Sequence, residues 1–224
     1  MSAALQVQAS ADGRQDRRES DAAFVLSLRA RGIFDISVLR AMEIVPREAF
    51  APRRFADLAR SDVALPLSCG QTMTAPAVVA VMLAALGVES GHQVLEIGTG
   101  SGYVSAILGA LGGAVHTVER RAILAESAWS RLAAAGFART VRVECADGFS
   151  PAIDGRYDRI LVNGTVPQVA SVLTSRLRSG GRLVCAMPSA GLPRLMTVTR
   201  GADGPLGHVL GAAVRIPALV VDAH

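Results

Sequence analysis

VLEIGTGSGYVSAIL, residues 94–108, decides the reading of this 224-residue chain. VLEI (94–97) has strand character and runs into a glycine-rich turn, after which apolar residues recur at helical spacing over 102–111. Gly98, Gly100 and Gly102, with Thr99 among them, are expected to let the backbone approach a ligand closely. Glu119 ends the next strand, VHTVE (115–119), 21 residues after Gly98, about where an acid must sit to bond ribose hydroxyls. The pattern is not a dinucleotide fingerprint, because GxGxxG starting at Gly98 requires glycine at 103, where the chain has Tyr103.

The acids narrow the ligand further. Glu96, just before the loop, would repel a pyrophosphate and suits a cationic ligand. S-adenosyl-L-methionine carries a sulfonium, an ammonium and a ribose but no phosphate, so EIGTGSG followed by VE fits it better than NAD or ATP. Asp147-Gly148, after VRVE (141–144), is placed to accept a hydrogen bond from an adenine amino group, and Arg120 beside Glu119 is a candidate neighbour of the adenosine.

Outward from the loop, strands and helices alternate at the spacing of βαβ units: helix 121–135, strand RILV (159–162), helix 168–177 and strand RLVCAM (182–187). Their apolar character suits strands covered on both faces. RLMTVTR (194–200) and HVLGAAVRIPALVV (208–221) read as a closing antiparallel hairpin. Residues 17–44 read as two short helices broken at Arg31-Gly32, and Thr74-Ala75-Pro76 reads as a helix start with Thr74 near the N-cap. The expected fold is α/β: a doubly wound sheet with an N-terminal helical segment, in one domain over 21–224, preceded by a mobile tail over 1–20.

Composition excludes several classes. Half the residues are apolar and 19% are charged, which argues for a packed core and against disorder. All 23 basic residues are Arg, spread evenly with the acids, and aromatics are only 4%; a nucleic-acid footprint needs a basic patch, with aromatics where single strands are held. Cys69, Cys145 and Cys185 form no CxxC pair and no His stands at metal-ligand spacing, so neither a disulfide scaffold nor a metal site is expected. Residues 1–20 lack the apolar run of a secretory signal, and the uncharged stretch 63–88 is interrupted by Pro66, Ser68, Gly70, Gln71 and Thr72. The expectation is a cytoplasmic protein without a membrane or nucleic-acid partner.

ALPLSCGQTMTAP (64–76) resembles the LPIGxGQTISAP substrate loop of the protein-L-isoaspartate O-methyltransferases, and the resemblance runs from about residue 24 to about 219. VLEIGTGSGY, YDRILV (157–162), LRSGGRLV (177–184) and RARGIFDISVLRAMEIVPREAF (29–50) carry it in the family's order. The resemblance implies a Rossmann-like methyltransferase fold, a monomer, and methyl transfer from S-adenosyl-L-methionine to the α-carboxylate of L-isoaspartyl residues in damaged proteins and peptides. It also implies that Thr74, aligned with the family's active-site Ser, holds the substrate carboxylate, that Gln71, Thr72 and Met73 lie beside the cofactor, and that Leu65 and Pro66 belong to the substrate loop. After YDRILV the family has a small-residue stretch such as TAAA, whose backbone faces the peptide; here Asn163, Gly164, Thr165 and Val166 stand in its place. Thr for Ser at 74 and NGTV for the small residues leave two other readings open: transfer to a different carboxylate, or cofactor binding without catalysis.

An ionised carboxylate attacking a sulfonium methyl needs no general base, and the sequence offers no Ser/His/Asp or Cys/His constellation. Positioning the two charged reactants and removing water would be the main catalytic device.

Overall fold

In the computed structural model, residues 19–202, 204 and 206–219 are described. Most of the expected tail lies outside that range, and its last two residues, 19 and 20, are already helical. Helix α1 (19–29) and α2 (Ile36–Ile44) are the two expected N-terminal helices. Asp35 caps α2 by accepting from the Val38 N–H at 3.0 Å, satisfying one of the orphan donors of the first turn.

A two-stranded ribbon follows, β1 (Leu65–Pro66) antiparallel to β2 (Thr72–Met73). Cys69 (φ 58°) and Gly70 (φ 67°) turn the chain between them in the left-handed region. Helix α3 (Pro76–Leu86) starts with Pro in its first turn and stops at Gly87 (φ 63°). Its N-cap is Ala75, so Thr74 lies one residue outside the helix and its hydroxyl caps nothing. At the other end, Arg182 donates to the Ala85 carbonyl (3.0 Å) and Arg159 to that of Gly87 (2.8 Å). Two cations from the sheet thereby cover the negative end of the helix dipole.

The remaining elements are β3 (Gln93–Ile97), α4 (Tyr103–Ala110), β4 (Ala114–Glu119), α5 (Ala122–Ala134), β5 (Val141–Cys145), β6 (Tyr157–Thr165), α6 (Ser171–Thr174), β7 (Leu177–Met187), β8 (Arg194–Arg200) and β9 (Leu206–Ala213). The seven strands β3 to β9 form one sheet in the order β5-β4-β3-β6-β7-β8-β9, with β3 to β7 parallel and β8 and β9 antiparallel to their neighbours. Strand parity separates two core clusters: Val94, Leu161 and Val184 pack with the helices, while Leu95, Ile160, Val162 and Leu183 pack on the opposite face. The N-terminal helices and α3 crowd the first face.

Two expected elements come out differently. The helix expected over 168–177 is the single turn α6; Thr174 and Ser175 hydroxyls bond back to the Ser171 and Val172 carbonyls, and Arg176 turns inward to the Ser150 carbonyl at 2.6 Å. Such back-bonds compete with a helical ladder. The last expected strand ends at Ala213, and residues 214–219 cross to the end of β6 instead. There Thr165 donates its N–H to the Pro217 carbonyl and its hydroxyl to that of Ile216, and Leu219 donates its N–H back to Thr165, each at 2.9–3.0 Å. Residues 220 and 221 of that stretch lie outside the described residues.

Among the described residues no helix is long and apolar enough to cross a membrane, and no group of His, Cys, Asp or Glu is placed to hold a metal ion. The three cysteines are free; burial pushes the Cys185 thiol up to about 12.

Candidate active site

The order of β5-β4-β3-β6 reverses direction at β3: the chain builds outward through β4 and β5, then returns to the other side with β6. Loops after β3 and β6 therefore diverge and leave a crevice at the carboxyl ends of the strands. A cleft enclosing about 830 Å³, mouth included, occupies this place.

Its floor is the glycine loop. Gly98, Gly100 and Gly102 all adopt positive φ (91°, 55° and 87°), a conformation that side-chain-bearing residues resist. Gly98, Thr99 and Gly100 line the cleft. Gly102 does not; it starts α4, and a Cβ there would come within 3.2 Å of Leu132 and 3.4 Å of Ala128 on α5. This glycine serves the α4–α5 packing and not ligand approach, a correction to the sequence reading.

Glu119, at the tip of β4, faces the cleft and is held there by two backbone donors, Gly100 N–H to Oε2 and Arg121 N–H to Oε1, both at 3.0 Å. Each oxygen keeps a further lone pair for a ligand hydroxyl. Asp147, just beyond the neighbouring strand β5, also lines the cleft, its Oδ1 accepting from the Phe149 N–H at 3.0 Å. A Cβ on Gly148 would lie 2.6 Å from Ile97, so only glycine lets this turn close over the end of β3. Gln71, Thr72, Met73 and Thr74 supply a further wall from the ribbon, and Arg120 stands at the rim.

Glu96 is not in the cleft. It shares the strand parity of Val94 and points into the helix-covered face, fully buried. Its carboxyl is bonded to the Ser105 hydroxyl and accepts from Asn163 Nδ2 at 2.6 Å. Burial pushes it up to about 7, with the Glu119 charge adding to the rise and the Ser105, Thr117 and Asn163 hydrogen bonds opposing it. It acts on the cleft at one remove. Asn163 donates to Glu96 and to the Gly98 carbonyl (3.0 Å), which commits both amide hydrogens and leaves its Oδ1, an acceptor, for the cleft that it lines.

Of the expected substrate residues, Thr74 and Asn163 line the cleft and the other five do not. Leu65 is buried and Pro66 is exposed in the ribbon. Gly164, Thr165 and Val166 are buried, and residues 216–219 cover the backbone expected to face a peptide. A Cβ on Gly164 would meet Leu219 Cβ at 2.8 Å and Cα at 3.1 Å. Since the Leu219 backbone is tied to Thr165, it cannot give way. Gly164→Ala is expected to destabilise the protein by about 1–3 kcal/mol through overpacking, read as a lowered denaturant midpoint at unchanged m-value.

Ile97, Val118 and Phe149 form an apolar part of the lining that the sequence reading did not name, with Tyr103, Val104 and Leu219. Strand parity could have found Ile97, which lies on the face opposite Glu96; Leu219 had no local signal. The Thr74 hydroxyl makes no hydrogen bond among the described residues, and Thr74 is half-buried on the cleft wall. It is available to a ligand.

The fold brings a glycine loop and the acids Glu119 and Asp147 together at the switch point of an α/β sheet, the arrangement of a protein that binds a nucleoside-containing cofactor. The fold matches at TM-score 0.76 a Plasmodium falciparum structure assigned to the protein-L-isoaspartate O-methyltransferases and determined with S-adenosyl-L-homocysteine (18% identity, 88% of this chain, 97% of that one). The chain belongs to the protein-L-isoaspartate(D-aspartate) O-methyltransferase family, whose model matches residues 19–218. Protein-L-isoaspartate O-methyltransferases of Rhodopseudomonas palustris (strain BisA53) and Azorhizobium caulinodans are each 43% identical, the first over 88% of this chain and 92% of its own, the second over 82% of both.

Proposed function

We propose that this chain transfers the methyl group of S-adenosyl-L-methionine to the α-carboxylate of L-isoaspartyl residues in damaged proteins and peptides, the step that opens their repair through a succinimide. The observation that carries the reading is the pairing of Glu119 with Thr74 across one cleft: an acid with lone pairs to spare on one wall, an uncommitted hydroxyl on another. The set of acceptors fits the cofactor. Glu119 would bond the ribose hydroxyls and Asp147 the adenine amino group, beside the apolar surface of Ile97, Val118 and Phe149. Asn163 Oδ1 is an acceptor suited to an ammonium, and the glycine backbone leaves room for the methionine part.

When bound, S-adenosyl-L-methionine supplies an electrophilic methyl on a sulfonium and leaves as S-adenosyl-L-homocysteine. The protein's part is placement. Thr74 holds the substrate carboxylate by its hydroxyl, and Met73, Tyr103 and Leu219 keep water from the reacting oxygen. No residue has to take a proton, because a carboxyl group of ordinary acidity is already ionised at neutral pH. The reading includes a cytoplasmic monomer that works on peptide without nucleic acid or membrane.

The test is transfer of labelled methyl to paired peptides containing L-isoaspartate or L-aspartate, scored as base-labile methyl ester. Ester confined to the isoaspartyl peptide is expected, with kcat/KM lowered about tenfold or more by Thr74→Ala, the size of one lost hydrogen bond to a charged group. Equal ester on both peptides would redirect the substrate assignment, and cofactor binding without turnover would remove it.

A further inference from the structure

Arg47 lies on the short 3₁₀ turn Arg47–Ala49 after α2 and is only 2% exposed. Among the described residues it makes no ion pair with a carboxylate. Its guanidinium fans out instead over four backbone carbonyls: Nη1 to Ala59 (2.7 Å) and Ser61 (3.4 Å), Nη2 to Val63 (3.0 Å) and Thr74 (3.0 Å). Three of these belong to the loop 59–63, and the fourth is the carbonyl of Thr74, which lines the cleft. The guanidinium also stands 5.9 Å from the Tyr103 ring centroid, on the cleft wall.

The same loop holds the turn a second time. Asp62 Oδ1 accepts from the Ala77 N–H at 2.8 Å, and its Oδ2 pairs with Arg31 at 3.1 Å. Thr74-Ala75-Pro76-Ala77 is therefore gripped on both sides of Pro76, by its carbonyl from Arg47 and by its N–H from Asp62. Neither grip uses the Thr74 side chain. The backbone is fixed while the hydroxyl is left for substrate.

We propose that Arg47 is a positioning residue for methyl transfer, fixing the Thr74 carbonyl and through it the direction of the Thr74 hydroxyl, with Asp62 as its counterpart at Ala77. This rests on the reading of Thr74 as the substrate contact. A fan of four carbonyls on two segments needs the planar, divergent donors of arginine; a lysine ammonium in the same place keeps the charge but cannot reproduce the fan. Displacement of a reacting group by about 1 Å costs on the order of 100-fold in rate, so a small relaxation of the turn suffices to be measured.

The experiment is steady-state kinetics on an isoaspartyl peptide for Arg47→Lys, Thr74→Ala and the double variant, with S-adenosyl-L-homocysteine affinity by calorimetry and thermal unfolding of each. Arg47→Lys is expected to lower kcat about tenfold or more while leaving the S-adenosyl-L-homocysteine Kd within about twofold. Added to Thr74→Ala, it is expected to change kcat by less than about twofold, because both act through one hydroxyl. A lowered unfolding midpoint with kcat of the folded protein unchanged overturns the proposal, and so does full additivity of the two substitutions. Thr74→Ala at wild-type kcat/KM instead overturns the Thr74 reading, and the proposal with it. If Arg47→Lys does not fold, Asp62→Ala removes the other grip and leaves Arg47 its four carbonyls; a loss of kcat at unchanged Kd supports the proposal, and unchanged kcat overturns it.

Discussion

Replacing Glu119 with alanine is expected to weaken binding of S-adenosyl-L-homocysteine at least about 100-fold, measured by isothermal titration calorimetry. Two hydrogen bonds from ribose hydroxyls to a carboxylate are worth about 1.5–3 kcal/mol each, and about 2.7 kcal/mol already corresponds to 100-fold. The loss has a second source, since Gly100 and Arg121 N–H groups lose the acceptor that now holds the glycine loop against the tip of β4. Glu119→Gln does not rescue the site fully. Both carboxylate oxygens accept from backbone N–H groups, so the amide nitrogen of glutamine must turn a donor toward one of them. A Kd for Glu119→Ala within threefold of wild type would remove the acid from the ligand's contacts.

Glu96→Gln is expected to abolish a pH dependence of stability worth about 3 kcal/mol, the equivalent of a carboxyl raised from 4.5 to about 7. The folded protein holds this proton more tightly than the unfolded chain. The stabilisation is therefore fully present below about pH 4.5 and drains away as the pH rises through 7. Glutamine imitates the protonated acid: its carbonyl can accept from Asn163 while its amide donates to Ser105. Denaturant titrations of both proteins at intervals from pH 5 to pH 8 should diverge with rising pH, the wild type losing stability relative to the variant. Parallel curves would mean that the charge is accommodated in the buried network.

Most of the sheet was legible because its signals are local. VLEI, VHTVE and YDRILV carry their strand character in four to six residues, and glycines followed by helical spacing mark the strand-to-helix turn wherever the rest of the chain lies. Glu119 and Asp147 were legible for the same reason: a strand-end acid in a parallel sheet opens onto the crevice. For Glu96, nearness to the loop suggests a place in the cleft, and strand parity overrides it. Two residues after Val94, it must point where Val94 points, into the helices. Gly102 was misassigned because its partners, Leu132 and Ala128, are on the next helix. The contacts of Arg47 span 12 to 27 residues of irregular chain, and those of Leu219 reach back to the end of β6; neither has a periodicity to betray it.

The cleft wall at Leu219 also has a meaning in time. Synthesis runs from the N-terminus, so the glycine loop after β3 and the loops after β4, β5 and β6 leave the ribosome before the segment that lies over Gly164 and Thr165. Until residues 216–219 dock, β6 ends with the Thr165 N–H and hydroxyl unpartnered and one side of the crevice open to water. A ligand that stabilises only the finished site contributes nothing to the nascent sheet. Until that last wall docks, the parallel strands around the crevice must hold together on their own packing.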